Sequence, residues 1–167
     1  MSDFTKTYYH RRYFERSREF QTNPKRIARL VSSIMEYSPK TVLDVGCGWG
    51  VVVRDLRKQG IEAWGIDFAE PVKDFWEGDF YKIADANSIP FSDHSFDIVF
   101  SSDFFEHIPK EEIDNVYSEM KRVGGKVIAV IPKAQTLNLS QTHYHITNEP
   151  LEWWEKKLEG AEIIRSI

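Results

Sequence analysis

The sequence predicts an α/β domain with a largely parallel sheet, and three observations carry that prediction. Short β-branched apolar runs alternate with stretches of helical period along most of the chain. The run Lys126-Val127-Ile128-Ala129-Val130-Ile131 is almost continuously apolar, as suits a strand buried on both faces. A glycine-rich turn follows the first such run and opens a helical stretch.

Taken in order, residues 4–20 carry Phe4, Tyr8, Tyr9, Tyr13, Phe14 and Phe20 among charges and read as helical. Thr22-Asn23-Pro24 offers a capping side chain followed by proline at the first helical position. Ile27, Leu30, Val31 and Ile34 then recur at helical spacing, and the helix should end near Tyr37–Pro39. Thr41–Val45 is the first strand, 51–58 a helix closed by Gly60, and 61–66 a second strand ending at Asp67. Residues 81–85 read as a third strand and 96–101 as a fourth. Ile113, Val116, Tyr117 and Met120 share one face of a helix over 110–122. Gly124-Gly125 should break the chain before strand 126–131. A helix near 148–159 aligns Leu151, Trp154 and Leu158 and precedes a last strand at 161–167. Trp153 and Trp154 read as core residues. No repeat or linker appears, so residues 1–40 are read as a helical cap belonging to the same domain as 41–167.

Composition narrows the function class. Apolar residues make up 41% and charged residues 29%, an ordinary globular balance that excludes a disordered or low-complexity chain. No apolar stretch approaches the ~20 residues of a membrane span, and the N-terminus has no apolar signal-like core. Cys47 stands alone, so no internal disulfide can form, and a cytoplasmic location is expected. The net charge of −4 argues against a dedicated nucleic-acid binder. Residues 1–40 nevertheless carry nine basic and four acidic side chains, a basic segment on an acidic body. It reads as a solvated helical face or as a cap drawing in an anionic ligand.

The most informative stretch is Val42-Leu43-Asp44-Val45-Gly46-Cys47-Gly48-Trp49-Gly50. Its glycines are spaced G-x-G-x-G, and Val51 stands where a dinucleotide fingerprint has its third glycine. No Gly-Lys-Ser/Thr follows, so it is not a P-loop. Asp67 lies at the end of the next strand, where a carboxylate can accept hydrogen bonds from both hydroxyls of a ribose; its plainer reading is a turn aspartate. Asp85-Ala86-Asn87 precedes the fourth strand and could read an adenine edge or be a solvated turn.

On these residues the chain resembles the class I S-adenosylmethionine-dependent methyltransferases, most closely the branch acting on small molecules. The matching stretches are 42–50, 64–67, 85–102, 105–109, 120–132 and 143–154, in family order. The resemblance implies a three-layer, Rossmann-like, doubly wound and mostly parallel sheet with helices on both faces. Counting the apolar runs gives six strands, so the family's usual seventh is expected to be missing. The last strand should therefore pair directly beside 126–131 or sit at a loose edge, which self-association as a homodimer would cover. The resemblance also implies S-adenosylmethionine as cofactor and S-adenosylhomocysteine as product. Gly46, Cys47 and Gly48 would lie along the methionine portion and Asp44 near its amino group. Asp67 would hold the ribose, Phe68 would pack beside the adenine, and Asp85 and Ala86 would meet its edge. Ser101 and Ser102 would line the pocket after the fourth strand.

Methyl transfer needs mainly positioning and desolvation, with a base only where the acceptor must lose a proton. Ser101-Ser102-Asp103-Phe104 stands where amide and amine methylators carry an Asn/Asp-Pro-Pro-aromatic tetrad. Glu106 and His107 follow the fourth strand, and His107 is the candidate general base. Tyr9, Tyr13, His143 and His145 are candidate substrate contacts. His143 and His145 share a face if extended and could join His107 on a metal, but a chance loop pair is the simpler reading and no metal is expected. The leading expectation is methyl transfer to a small molecule. The alternatives are an RNA or protein methyltransferase docking through the basic N-terminal segment, and a non-catalytic domain that retains the cofactor fold.

Overall fold

The structure is a computed structural model, and it describes residues 18–69, 76, 78–132 and 145–165. The candidate contacts Tyr9, Tyr13 and His143, most of the 4–20 segment and the end of the last strand lie outside the described residues.

Helix α1 (Pro24–Met35) starts where the sequence places it: the Asn23 side chain accepts the N–H groups of Lys25 and Arg26 at 3.0 and 3.3 Å. The other elements are β1 (Thr41–Val45), α2 (Val51–Lys58), β2 (Glu62–Asp67), β3 (Tyr81–Ile83), β4 (Phe96–Ser102), a 3₁₀ turn (Phe105–His107), α3 (Ile113–Val123), β5 (Gly124–Ile131), α4 (Leu151–Lys157) and β6 (Glu162–Arg165). Strand β5 opens on its glycines instead of following them, because Gly124 already pairs with Phe96.

All pairings in the sheet are parallel, in the order β3-β2-β1-β4-β5-β6. Strand alternation divides the core into two layers. Val42, Ile98, Phe100, Ile128 and Val130 face α1 and α2. Leu43, Val45, Val99, Val127, Ala129 and Ile131 face α3 and the Trp154–Leu158 end of α4. Trp154 is fully buried and Trp153 half-buried. The order reverses between β1 and β4, so a crevice opens beyond their carboxyl ends.

Of the two expectations for the last strand, direct pairing holds: Ile128–Ile131 align with Glu162–Arg165. Glu162 is tied down further by Lys126 at 3.1 Å and by the Tyr37 hydroxyl. Among the described residues β6 has a neighbour on one side only. Hydrogen exchange should therefore find amides 162–165 exchanging much faster than those of β1 and β5. Equal protection in a proven monomer would mean the outer edge is covered.

Candidate functional site

The crevice is a single cleft holding about 1190 Å³ of empty space, its open mouth included. Asp44, Gly46, Cys47 and Gly48 enter it from β1 and the glycine turn, and Asp67 and Phe68 from the end of β2. Asp85 and Ala86 come from the loop after β3, and Ser102 from β4. His107 and Ile108 line it as well.

Ser101 does not line the cleft, which corrects the expectation for that residue. Successive strand side chains point to opposite faces, so Ser102 turns into the cleft while Ser101 is buried, its hydroxyl without a hydrogen-bond partner.

The glycine turn is clamped from several sides. The N–H groups of Gly46 and Cys47 both donate to the Ile66 carbonyl, at 2.9 and 3.0 Å. Gly50 is left-handed at φ 65°, and a Cβ there would lie 2.4 Å from the Tyr81 ring. The Tyr81 hydroxyl donates to the Gly50 carbonyl at 3.0 Å, and the Trp76 indole donates to the Gly48 carbonyl at 2.9 Å. The two rings stack at 4.9 Å. Neither aromatic was legible as a site residue, because each acts on the turn from a distant part of the chain.

Asp67 is both the turn residue and the cleft residue that the sequence left as alternatives. Its Oδ2 accepts the Gly48 N–H and its Oδ1 the Ala69 N–H, each at 2.9 Å. A carboxylate has lone pairs left for ligand hydroxyls after those two bonds. Burial raises its pKa, and backbone hydrogen bonds from Ala69, Gly48 and Phe68 oppose that rise. Asp44 is buried as well, and burial, followed by the neighbouring charge of Asp67, lifts its pKa to about 7, with Arg26 opposing. Burial likewise pushes the Cys47 thiol up, so this cysteine is not an activated nucleophile. Asp85 is exposed, and its Oδ1 accepts the Asn87 N–H at 2.9 Å, a local turn bond that leaves Oδ2 available.

Arg26, which no local pattern marks, lines the cleft from α1. Its guanidinium donates to Ser102 Oγ at 2.7 Å and pairs with Asp103. The His107 and His145 rings meet edge to face at 5.0 Å. Burial lowers the His145 pKa, so that ring is neutral near pH 7. Glu106 is buried at 2% exposure, and burial, followed by Asp103, pushes its carboxyl well up.

The donor set fits S-adenosylmethionine. Two buried carboxylates offer acceptors that a cation and ribose hydroxyls would suit, and a positive-φ glycine turn admits close backbone approach. Comparison with known proteins agrees. Residues 43–129 match the family described as "Methyltransferase domain". A ubiquinone biosynthesis O-methyltransferase of Hydrogenovibrio crunogenus is 27% identical over 80% of this chain and 67% of its own length. A chloroplastic tocopherol O-methyltransferase of Arabidopsis thaliana is 31% identical over 80% of this chain, which spans only 40% of that protein. A crystal structure of a SAM-dependent methyltransferase from Archaeoglobus fulgidus superposes with TM-score 0.65 at 26% identity, covering 89% of this chain and 72% of that one. With the parallel sheet, the glycine turn and the acidic ends of β1 and β2 in one cleft, the chain belongs to the class I S-adenosylmethionine-dependent methyltransferases.

Proposed function

We propose that the chain transfers a methyl group from S-adenosylmethionine to a small-molecule acceptor seated at the His107 end of the cleft. The observation that carries this reading is the continuity of one cleft, lined by Asp44 and Asp67 and also by Phe104, His107 and Ile108. When bound, the cofactor supplies an electrophilic methyl group on a sulfonium sulfur. Asp67 would hold the ribose hydroxyls and Asp44 the amino group, while Gly46–Gly48 admit the methionine portion. Phe68, with Asp85 and Ala86, would flank the adenine. Ser102, held by Arg26, and Phe104 would close the acceptor end against water. His107 would take the proton from a protic acceptor while its ring nitrogen carries no metal ion. The relatives named above are, by their names, O-methyltransferases of ubiquinone biosynthesis and of tocopherol, which supports a small acceptor. The lone buried Cys47 suits a reducing, cytoplasmic setting. No helix among the described residues is long and apolar enough to cross a membrane.

The test is a labelled-donor screen against metabolite, RNA and protein fractions. Label should appear in a small molecule. Label in RNA or protein would replace this reading with macromolecular methylation. Retained cofactor without turnover on any fraction would point to a non-catalytic domain.

Asp67→Ala should weaken cofactor binding by about 1.5–3 kcal/mol, the usual loss of a hydrogen bond to a charged group. It should also lower the melting temperature of the cofactor-free protein, since the Gly48 and Ala69 N–H groups lose their acceptor. Isothermal titration showing full affinity would leave Asp67 as a turn staple alone.

A further inference from the structure

We propose that Glu106, His107 and His145 form a binding site for a divalent transition-metal ion beside the cleft, which His107 lines. Two separate segments bring these side chains together: the 3₁₀ turn after β4 and the strap at 145–149. One ligand atom from each lies within 4.8 Å of the others. Two ligands of one ion stand roughly 3–4 Å apart when each metal–ligand bond is about 2.1 Å, so a small inward movement of His145 closes the set.

The second observation is Glu106 itself. Both of its carboxyl oxygens are buried and neither has a hydrogen-bond partner. His107 Nε2 stands 3.9 Å from Oε1, beyond hydrogen-bond distance. Arg26, the nearby cation, is taken by Asp103 and Ser102. A buried carboxyl without a donor is costly whether protonated or charged. An ion between Glu106 and the two imidazoles would satisfy it.

The strap is fastened in a way that holds the set ready. The Thr147 N–H donates to the Glu106 carbonyl at 3.0 Å, and the Thr147 hydroxyl donates to the Ile108 carbonyl at 2.7 Å. Thr147 is itself buried at 1% exposure, so His145 is anchored two residues from a fixed point. The chemistry of the donors selects the ion. Two neutral nitrogens and one carboxylate suit zinc, cobalt, iron or manganese, whereas magnesium and calcium prefer oxygen ligands alone.

The experiment uses the full chain, stripped with a chelator and dialysed. Titration with zinc chloride should show one equivalent bound, and cobalt chloride should give visible absorption of a nitrogen-containing site. His145→Ala should weaken zinc binding at least about tenfold, the loss that even outer-shell changes cause. Glu106→Gln should do the same, and if it fails to fold, the half-buried His145 decides the question. His94→Asn, on an exposed histidine elsewhere, should bind as the unaltered chain does. No binding at millimolar zinc, unchanged binding in His145→Ala, or tighter binding of magnesium than zinc would each overturn the site. None of these readouts depends on turnover, so failure of the methyl-transfer reading would leave this result standing.

Discussion

Gly46→Val should abolish cofactor binding, with a loss of more than about 100-fold, or roughly 3 kcal/mol. Gly46 sits at φ 73°, a region that a β-branched L residue reaches only under strain. A Cβ at this position would lie 2.4 Å from Cδ2 of Phe104, whose ring lines the cleft. The backbone has little room to retreat, because Gly46 and Cys47 both donate to the Ile66 carbonyl. The Trp76 and Tyr81 bonds hold the far side of the turn. Either the Phe104 ring is driven into the cleft or the turn reshapes, and both outcomes remove the surface on which the methionine portion would rest. Isothermal titration with S-adenosylhomocysteine, paired with a thermal melt, measures the effect. A folded variant that binds within threefold of the unaltered chain would sink the assignment of the turn.

Cofactor affinity should rise about tenfold per pH unit on approach to pH 7 from below, and level off above it. Asp44 carries a pKa of about 7 in the cofactor-free protein, so below that pH its carboxyl is mostly neutral. Pairing with the cofactor's ammonium needs the charged form, and binding must then release a proton. The sign for stability runs the other way. A carboxyl with a raised folded pKa stabilises the fold fully below its unfolded value, 3.8, and that contribution is lost as pH rises through about 7. The cofactor-free protein should therefore be the less stable for Asp44 at pH 8 than at pH 5. The rise in melting temperature on adding cofactor should correspondingly grow with pH. Asp44→Asn should flatten both trends and weaken binding at pH 8. Affinity that stays constant between pH 6 and 8, with no proton release seen in buffers of different ionisation heat, would remove Asp44 from the ammonium role.

Local patterns in the chain were enough to place almost every described element, because helix and strand periods are written over a few consecutive residues. Asn23-Pro24 started α1, the Thr41–Val45 run made β1, and the apolar stretch 127–131 made the doubly buried β5. The glycine turn and the acidic residue ending the next strand marked one end of the cleft for the same reason. Ser101 was misplaced although the period-two rule, applied to Ser101-Ser102, separates them; a motif assigned to both hid the alternation. Other features belong to tertiary structure alone. Arg26 meets Asp103 only because α1 packs beside the ends of β1 and β4. Trp76 and Tyr81 reach the carbonyls of the glycine turn only after β3 docks on β2. Asp67 is stapled to Gly48 by the fold of a turn 19 positions earlier. Glu106, His107 and His145 converge because Thr147 pins the strap, and no spacing in the sequence encodes that contact. Short-range periodicity thus determined which elements form and where the glycine turn lies. Long-range packing decided which charges face one another, since burial and neighbouring charge exist only once distant segments share a core.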